Sequence, residues 1–332
     1  MRKIILCVVI VISSICFFLD AGAAQTKAIV LKAFTNWPVT NNNVDGFKHF
    51  IRLVNERAKG EIEIKLMGGP ELISVKESLG ALGRGVMDME HANNINFVIS
   101  QAADFVSSPA VAIKIWQDPD FFRIIDAYHR EKANIAVLGG AGNPSQFYLC
   151  TTKKPVTRHE EVKGLRIRTH GGLSNVVATA LGAAPATIPT AEVYTALERG
   201  VVDGAMRVLA SIVDFGESAV LRNIVTPSLF RANAMIRMNQ DSWKRLPAHL
   251  QKLLRDASFD TLKWGESHCA DLEKNAQNEL INKGVKFHAL SGDELARWRK
   301  MLDQPQRDWY VKEAGPEGKA VLDIVDKYEK SR

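Results

Sequence analysis

The chain has 332 residues, of which 46% are hydrophobic and 24% charged, and it carries a formal net charge of +6. That length allows two domains of ordinary size, and the composition is that of a soluble globular protein, which excludes a disordered or wholly membrane-embedded chain. The basic residues are scattered among acids with no basic helix face, so nucleic acid is not an expected partner, while attraction of small anions is.

Met1-Arg2-Lys3 is a basic start, Ile4 to Leu19 is almost wholly apolar, and Ala21-Gly22-Ala23-Ala24 supplies small residues. This order predicts a cleaved signal peptide over 1–24 and a periplasmic product. Ile15 stands before Cys16 where a lipoprotein signal needs a small residue, so a lipid anchor is not expected. Cys7 and Cys16 leave with the signal; Cys150 and Cys269 allow one bridge at most, and the sequence leaves that open. No Cys or His cluster has metal-site spacing, and neither a metal nor a cofactor is expected.

Ala28 to Thr35 reads as a strand that ends at Asn36-Trp37-Pro38. Phe47, Phe50, Ile51 and Val54 recur at helical spacing, with Gly60 as a stop. Ile62 to Met67 is a second strand, and a helix carrying Leu72, Leu79 and Leu82 follows. Gly85 to Met89 leads into a third strand, so Asn36 and the run Ala92-Asn93-Asn94 fall at two strand ends. Ligands of open α/β sheets collect at such ends. Gly139-Gly140-Ala141-Gly142 lacks the Lys and Ser/Thr of a phosphate loop and reads as a flexible turn before a domain crossover. Gln146 to Thr151 is a strand and begins a second α/β unit that runs to about Phe230. Ala234 to Met238 is a strand. Pro247 to Asn282 reads as one long helix, bent or broken at Gly265 and stopped by Gly284. In the tail, Trp298, Trp309 and Tyr310 are expected on the second domain.

The second unit carries the densest pattern. Lys154-Pro155-Val156 is followed by Gly164-Leu165-Arg166-Ile167-Arg168, then Leu181-Gly182-Ala183-Ala184-Pro185, then Glu192-Val193-Tyr194-Thr195-Ala196-Leu197 and Gly200-Val201-Val202-Asp203-Gly204. In order and spacing this resembles the substrate-binding proteins of tripartite ATP-independent periplasmic (TRAP) transporters, the DctP family, and weaker similarity extends from about Leu31 to about Gly284. The resemblance implies a two-domain α/β fold of the periplasmic-binding-protein kind (type II-like), with hinge crossovers near Gly142 and Ala232 and a long helix spanning both domains. Domain I would be 25–144 plus about 233–272, and domain II 145–232 plus about 273–332. The implied function is capture of an organic acid between the domains and its delivery to TRAP membrane permease subunits, as a monomer and without catalysis.

Site residues follow on the same basis. Arg168 matches the family arginine that pairs with the ligand carboxylate, a job suited to the planar fork of guanidinium donors. Arg207 stands where relatives place an Asn facing the ligand, so it is either a second cation in the pocket or a solvated arginine. Phe147 replaces an arginine that many members carry; with Trp37 it would form an apolar wall, the alternative being core. Asn36, Asn93 and Thr190 complete the set of candidate ligand-binding residues, with Thr190 also read as a helix N-cap. Tyr194 is read as core. Glu90 and His91 are raw material for acid–base chemistry, but neighbours on a strand point to opposite faces, so the non-enzymic reading is stronger. A sensor subunit docking on a signalling receptor and an exported enzyme acting on an organic acid are the alternatives.

Overall fold

Strand-helix alternation builds two sheets from this chain. The structure, a computed structural model, describes residues 28–93, 97–105, 109–142 and 145–329. The proposed signal peptide, with Cys7 and Cys16, and also Asn94, lie outside these residues. The first half runs β1 (Ile29–Thr35), α1 (Asp45–Arg57), β2 (Ile62–Gly68), α2 (Val75–Gly83), β3 (Met89–Asn93), α3 (Pro109–Gln117), α4 (Pro119–Ala133) and β4 (Ile135–Gly140). Then come β5 (Ser145–Thr151), β6 (Arg166–Thr169), α5 (Leu173–Ala180), β7 (Ala184–Thr187), α6 (Val193–Glu198), β8 (Gly204–Arg207), α7 (Leu209–Asp214), β9 (Asn223–Thr226), β10 (Phe230–Ala232) and β11 (Ala234–Asn239). The chain finishes with α8 (Gln240–Lys244), α9 (Ala248–Asn282), β12 (Lys286–Ala289), α10 (Gly292–Ala314) and α11 (Gly318–Glu329).

The first sheet has the order β2-β1-β3-β11-β4, and the second the order β12-β9-β5-β8-β6-β7 with β10 paired to β5. Both crossovers fall where the sequence places them, between β4 and β5 and between β10 and β11. In the first sheet, β11 is antiparallel to its neighbours β3 and β4, and all of its residues are buried. That burial is tolerable for Arg237 because Glu90 faces it across the β3 pairing, 2.7 Å from Nη2. An unpaired charge at that depth would cost several kcal/mol.

One face of the first sheet packs on Phe47, Phe50 and Val54 of α1 and on Leu250, Leu254 and Ala257 of α9. Each such side chain contributes roughly 1.5–3 kcal/mol on burial. The other face packs on α3 and α4, with Trp116, Phe121 and Ile125 buried there. The second sheet carries α5 and α10 on one face and α6, α7 and the last turns of α9 on the other. No helix among the described residues is long and apolar enough to cross a membrane.

Several local readings need correction. Leu72 precedes α2 and is exposed, because that helix begins only at Val75. Gly139 and Gly140 belong to β4, where a Cβ would meet Ser258 and Leu262 of the helix packed against them, so they are close-approach glycines within a strand. Gly265 does not break α9. The helix is continuous through it, and a Cβ there would stand 1.7 Å from the carbonyl oxygen of Gly142. The tail divides between the two sheets: Trp298 packs on the second, whereas Tyr310 donates its hydroxyl to the Ile99 carbonyl and α11 packs Val321, Leu322 and Val325 onto the first sheet's helices. Tyr194 is only half-buried and lies outside the core clusters. Cys150 and Cys269 remain thiols.

Candidate functional site

Parallel strands β6 and β8 lie side by side, with Arg168 level with Ala205, so that Arg168 and Arg207 come out at the same end of the second sheet. Alternation puts Arg166 and Arg168 on one face, yet their surroundings differ. Arg166 is exposed and forked by Asp203, Nε to Oδ2 at 3.1 Å and Nη2 to Oδ1 at 2.8 Å. Arg168 is only 2% exposed, and its guanidinium donates to neutral acceptors, the Ile188 carbonyl at 2.9 Å and Thr190 Oγ1 at 3.3 Å. Burial, with Arg207 nearby, pulls it down to about 10, Glu217 opposing, so it is a cation at neutral pH. Among the described residues no carboxylate forms an ion pair with it.

Arg207 fits neither of the two expected readings. It is buried, and its Nε and Nη2 donate to the two carboxylate oxygens of Glu217 at 2.7 Å each. The second guanidinium thus arrives with its own counter-ion. Thr190 does not cap a helix: Pro189 and Glu192 hold the cap positions, and the Thr190 hydroxyl instead supports Arg168. The expected stop at Gly200 is present, with Gly200 at φ 67° after the last turn of α6.

Phe147 and Tyr148 are successive on β5 and face opposite ways; Tyr148 is paired with Arg207, so Phe147 lies on the other face. There it stacks on Phe230, centroids 4.8 Å apart, and His170 packs 4.8 Å from it. Phe147 is half-buried and packs against the core on that face of the second sheet. His170 follows the end of β6 and joins the two groups. The residue is exposed, and desolvation of its ring, with Arg168 and Arg207 nearby, lowers its imidazole below the ordinary histidine range.

The facing rim comes from the first sheet, where Thr35 and His91 are paired at the ends of β1 and β3. Asn36 is buried, and both polar atoms of its side chain lack a hydrogen-bond partner among the described residues; the same holds for His91 Nε2 and Asn93 Oδ1. The Trp37 ring lies 4.9 Å from that of His91. His91 accepts from or donates to Thr35 through Nδ1 at 3.0 Å, and burial with Arg237 nearby pulls it down to about 3. Buried polar atoms left unpaired cost about 1–3 kcal/mol each. A cavity of about 370 Å³ brings Asn93 of this rim against His170, Gly172 and Leu173 of the other. A larger one, about 510 Å³, lies under α10; Phe230 lines both cavities, and Arg168 lines neither.

Glu90 is paired with Arg237, 2.7 Å from its Nη2, while His91 is bonded through Nδ1 to the Thr35 hydroxyl. No group of His, Cys, Asp or Glu among the described residues is arranged to hold a metal ion. Glu217, His170 and Phe230 were not among the residues expected from sequence, and His91 was singled out there only as raw material for acid–base chemistry. His170, next to the strand-end arginine, could have been found by position; Glu217 could not, since its pairing with Arg207 is made through space.

Residues 34–313 match the family described as bacterial extracellular solute-binding protein, family 7. The C4-dicarboxylate-binding periplasmic protein DctP of Rhodobacter capsulatus is 22% identical over 286 residues, covering 82% of this chain and 83% of that protein. A TRAP periplasmic solute binding protein from Rhodobacter sphaeroides, described as apo and open, superimposes with a TM-score of 0.81 at 20% identity, over 90% of this chain and 99% of that one. One from Desulfovibrio salexigens with bound orotic acid gives 0.78 at 20% identity, over 91% and 99%.

Proposed function

Because the chain belongs to family 7 of the bacterial extracellular solute-binding proteins, we propose that it is the solute-binding subunit of a TRAP transporter, taking an organic acid between its two sheets and passing it to membrane permease components. It works in the periplasm, as a monomer and without chemical change to the acid. The observation that carries this reading is Arg168: a buried guanidinium at a strand end, held by a carbonyl and a hydroxyl and lacking an acidic partner among the described residues. A ligand carboxylate would supply the missing charge. Asn36, His91 and Asn93 on the opposite rim would take the polar groups of its body, and Phe147 and Trp37 its apolar faces. A relative named for C4-dicarboxylates and a structural neighbour holding orotic acid support an acid as the guest.

Calorimetry tests it, using the acid released from freshly purified protein and identified by mass spectrometry. Truncating one partner of a desolvated charge pair costs about 2–5 kcal/mol, so Arg168→Ala should weaken binding by about thirtyfold or more. Arg168→Lys keeps the charge but not the fork and should recover only part of the loss. Exposed Arg166→Ala should bind as the parent does. A folded Arg168→Ala protein binding within about threefold of the parent would remove Arg168 from the site.

A further inference from the structure

Two guanidiniums at one strand end would ordinarily make a site for two carboxylates. Here they are not equivalent. Arg168 donates only to neutral oxygens, whereas Arg207 has Nε and Nη2 closed by the Glu217 carboxylate, 2.7 Å on each arm. Glu217 is fully buried and begins the short turn Glu217–Ala219 behind α7. Its side chain cannot swing into water without leaving Arg207 buried and unpaired, which makes the fork a fixed part of the site. Counting these groups, the rim of the second sheet offers a guest one positive charge.

We propose that Glu217 is a built-in carboxylate that fills the place on Arg207 which a second ligand carboxylate would otherwise take, so that the site selects monocarboxylic acids and rejects dicarboxylic ones. This rests on the reading of Arg168 as the carboxylate anchor. A monoacid meets Arg168 and brings the rim to neutrality. The second carboxylate of a diacid would find the Arg207 fork occupied and would face the Glu217 anion across a desolvated gap, where like charges are costly. The remaining polarity of the accepted guest must be uncharged, hydroxyl, keto or amide, because the acceptors and donors left at Asn36, Asn93 and His91 Nε2 carry no charge. The stacked Phe147 and Phe230 rings beside His170 add a flat apolar side. The relative from Rhodobacter capsulatus is named for a dicarboxylate, and this chain is thereby expected to differ from it in charge class.

Matched pairs of acids that share a skeleton test the proposal: D-glucuronate against D-glucarate, and succinamate against succinate, with the melting temperature and then calorimetry as readouts. The parent protein should favour the monoacid of a pair by about tenfold or more, the equivalent of 1.4 kcal/mol. Glu217→Gln frees a second cation and should move the ratio towards the diacid by about tenfold. Should that variant not fold, the parent's own ratios decide. A parent that binds the diacid as tightly as its monoacid, a ratio unchanged in a folded Glu217→Gln protein, or a co-purified acid with two carboxylates would each overturn the proposal and leave the anchor at Arg168 standing. Monoacid binding that survives Arg168→Ala, or a panel in which no acid shifts the melting temperature, would overturn the anchor reading instead.

Discussion

Protonation inside this protein is decided residue by residue through burial. Asp104, at the end of the 3-10 segment Val98–Asp104, accepts from the backbone N–H and Nδ2 of Asn233 at 3.1 and 2.5 Å, and Arg231 acts on it by charge. Burial outweighs these and pushes its carboxyl up to about 8. The unfolded chain releases that proton near its ordinary value of about 4. Between the two, the native state holds the extra proton, so Asp104 makes stability fall as pH rises through that window, by at most about 1.4 kcal/mol per pH unit. The difference in unfolding free energy between the parent and Asp104→Asn should therefore drift against the parent from about pH 4 to about pH 8 and then level off, measured by urea titration at several pH values. The histidines have the opposite sign. His91 and His129 are pulled down to about 3, by burial first and then Arg237. They stay neutral in the native state while the unfolded chain protonates below about 6.5, so their contribution is lost on acidification. Their ring resonances should not titrate above about pH 5.

At the scale of the element, α9 shows how a helix reads differently in isolation and in place. Its 35 residues extend about 50 Å at 1.5 Å each, enough for Leu250 and Leu254 to pack on the first sheet and Ala276 and Leu280 on the second. By propensity Gly265→Ala should stabilise an exposed helix by about 1 kcal/mol. Here the added Cβ would stand 1.7 Å from the Gly142 oxygen, against backbone that no rotamer change can clear. Overpacking of this kind costs roughly 1–3 kcal/mol or more, so the clash prevails. Gly265→Ala should lower the melting temperature, while Gly292→Ala, at the open start of α10 with nothing near it, should leave it unchanged or slightly higher. Equal behaviour of the two variants would show that the α9 crossing is not tight.

Across the whole molecule, the two sheets are joined by the two strand crossovers and by α9, and α10 and α11 extend from the second sheet back to the first. Gly142, at φ +66°, lies at the first crossover in backbone contact with Thr261 and Gly265. Bending at such element ends lets two domains close without disturbing either core. A guest that joins Arg168 on one rim to Asn36 and Asn93 on the other would draw the sheets together. Small-angle scattering should show a smaller radius of gyration with the released acid than without it, and less change for Arg168→Ala at the same acid concentration. An unchanged radius in the parent would indicate a rigid cleft.

What the sequence determined by itself is local or carried by spacing. Apolar alternation and helical periodicity placed the strands and helices, since those patterns act within a few residues, and the run from Gly164 to Gly204 singled out Arg168 through its resemblance to the TRAP solute-binding proteins. Contacts between distant residues were decided only by the fold. Whether Arg207 is a free cation depends on Glu217, a partner brought to it by the turn after α7. Gly265 reads as a helix breaker until Gly142 is seen to cross it, and the destination of α11 rests on apolar faces of α3 and α4 that no pattern within the tail encodes. Charge, too, is set by depth: the same carboxyl or imidazole is ordinary in water and shifted by several units when desolvated, and depth is a property of the folded chain.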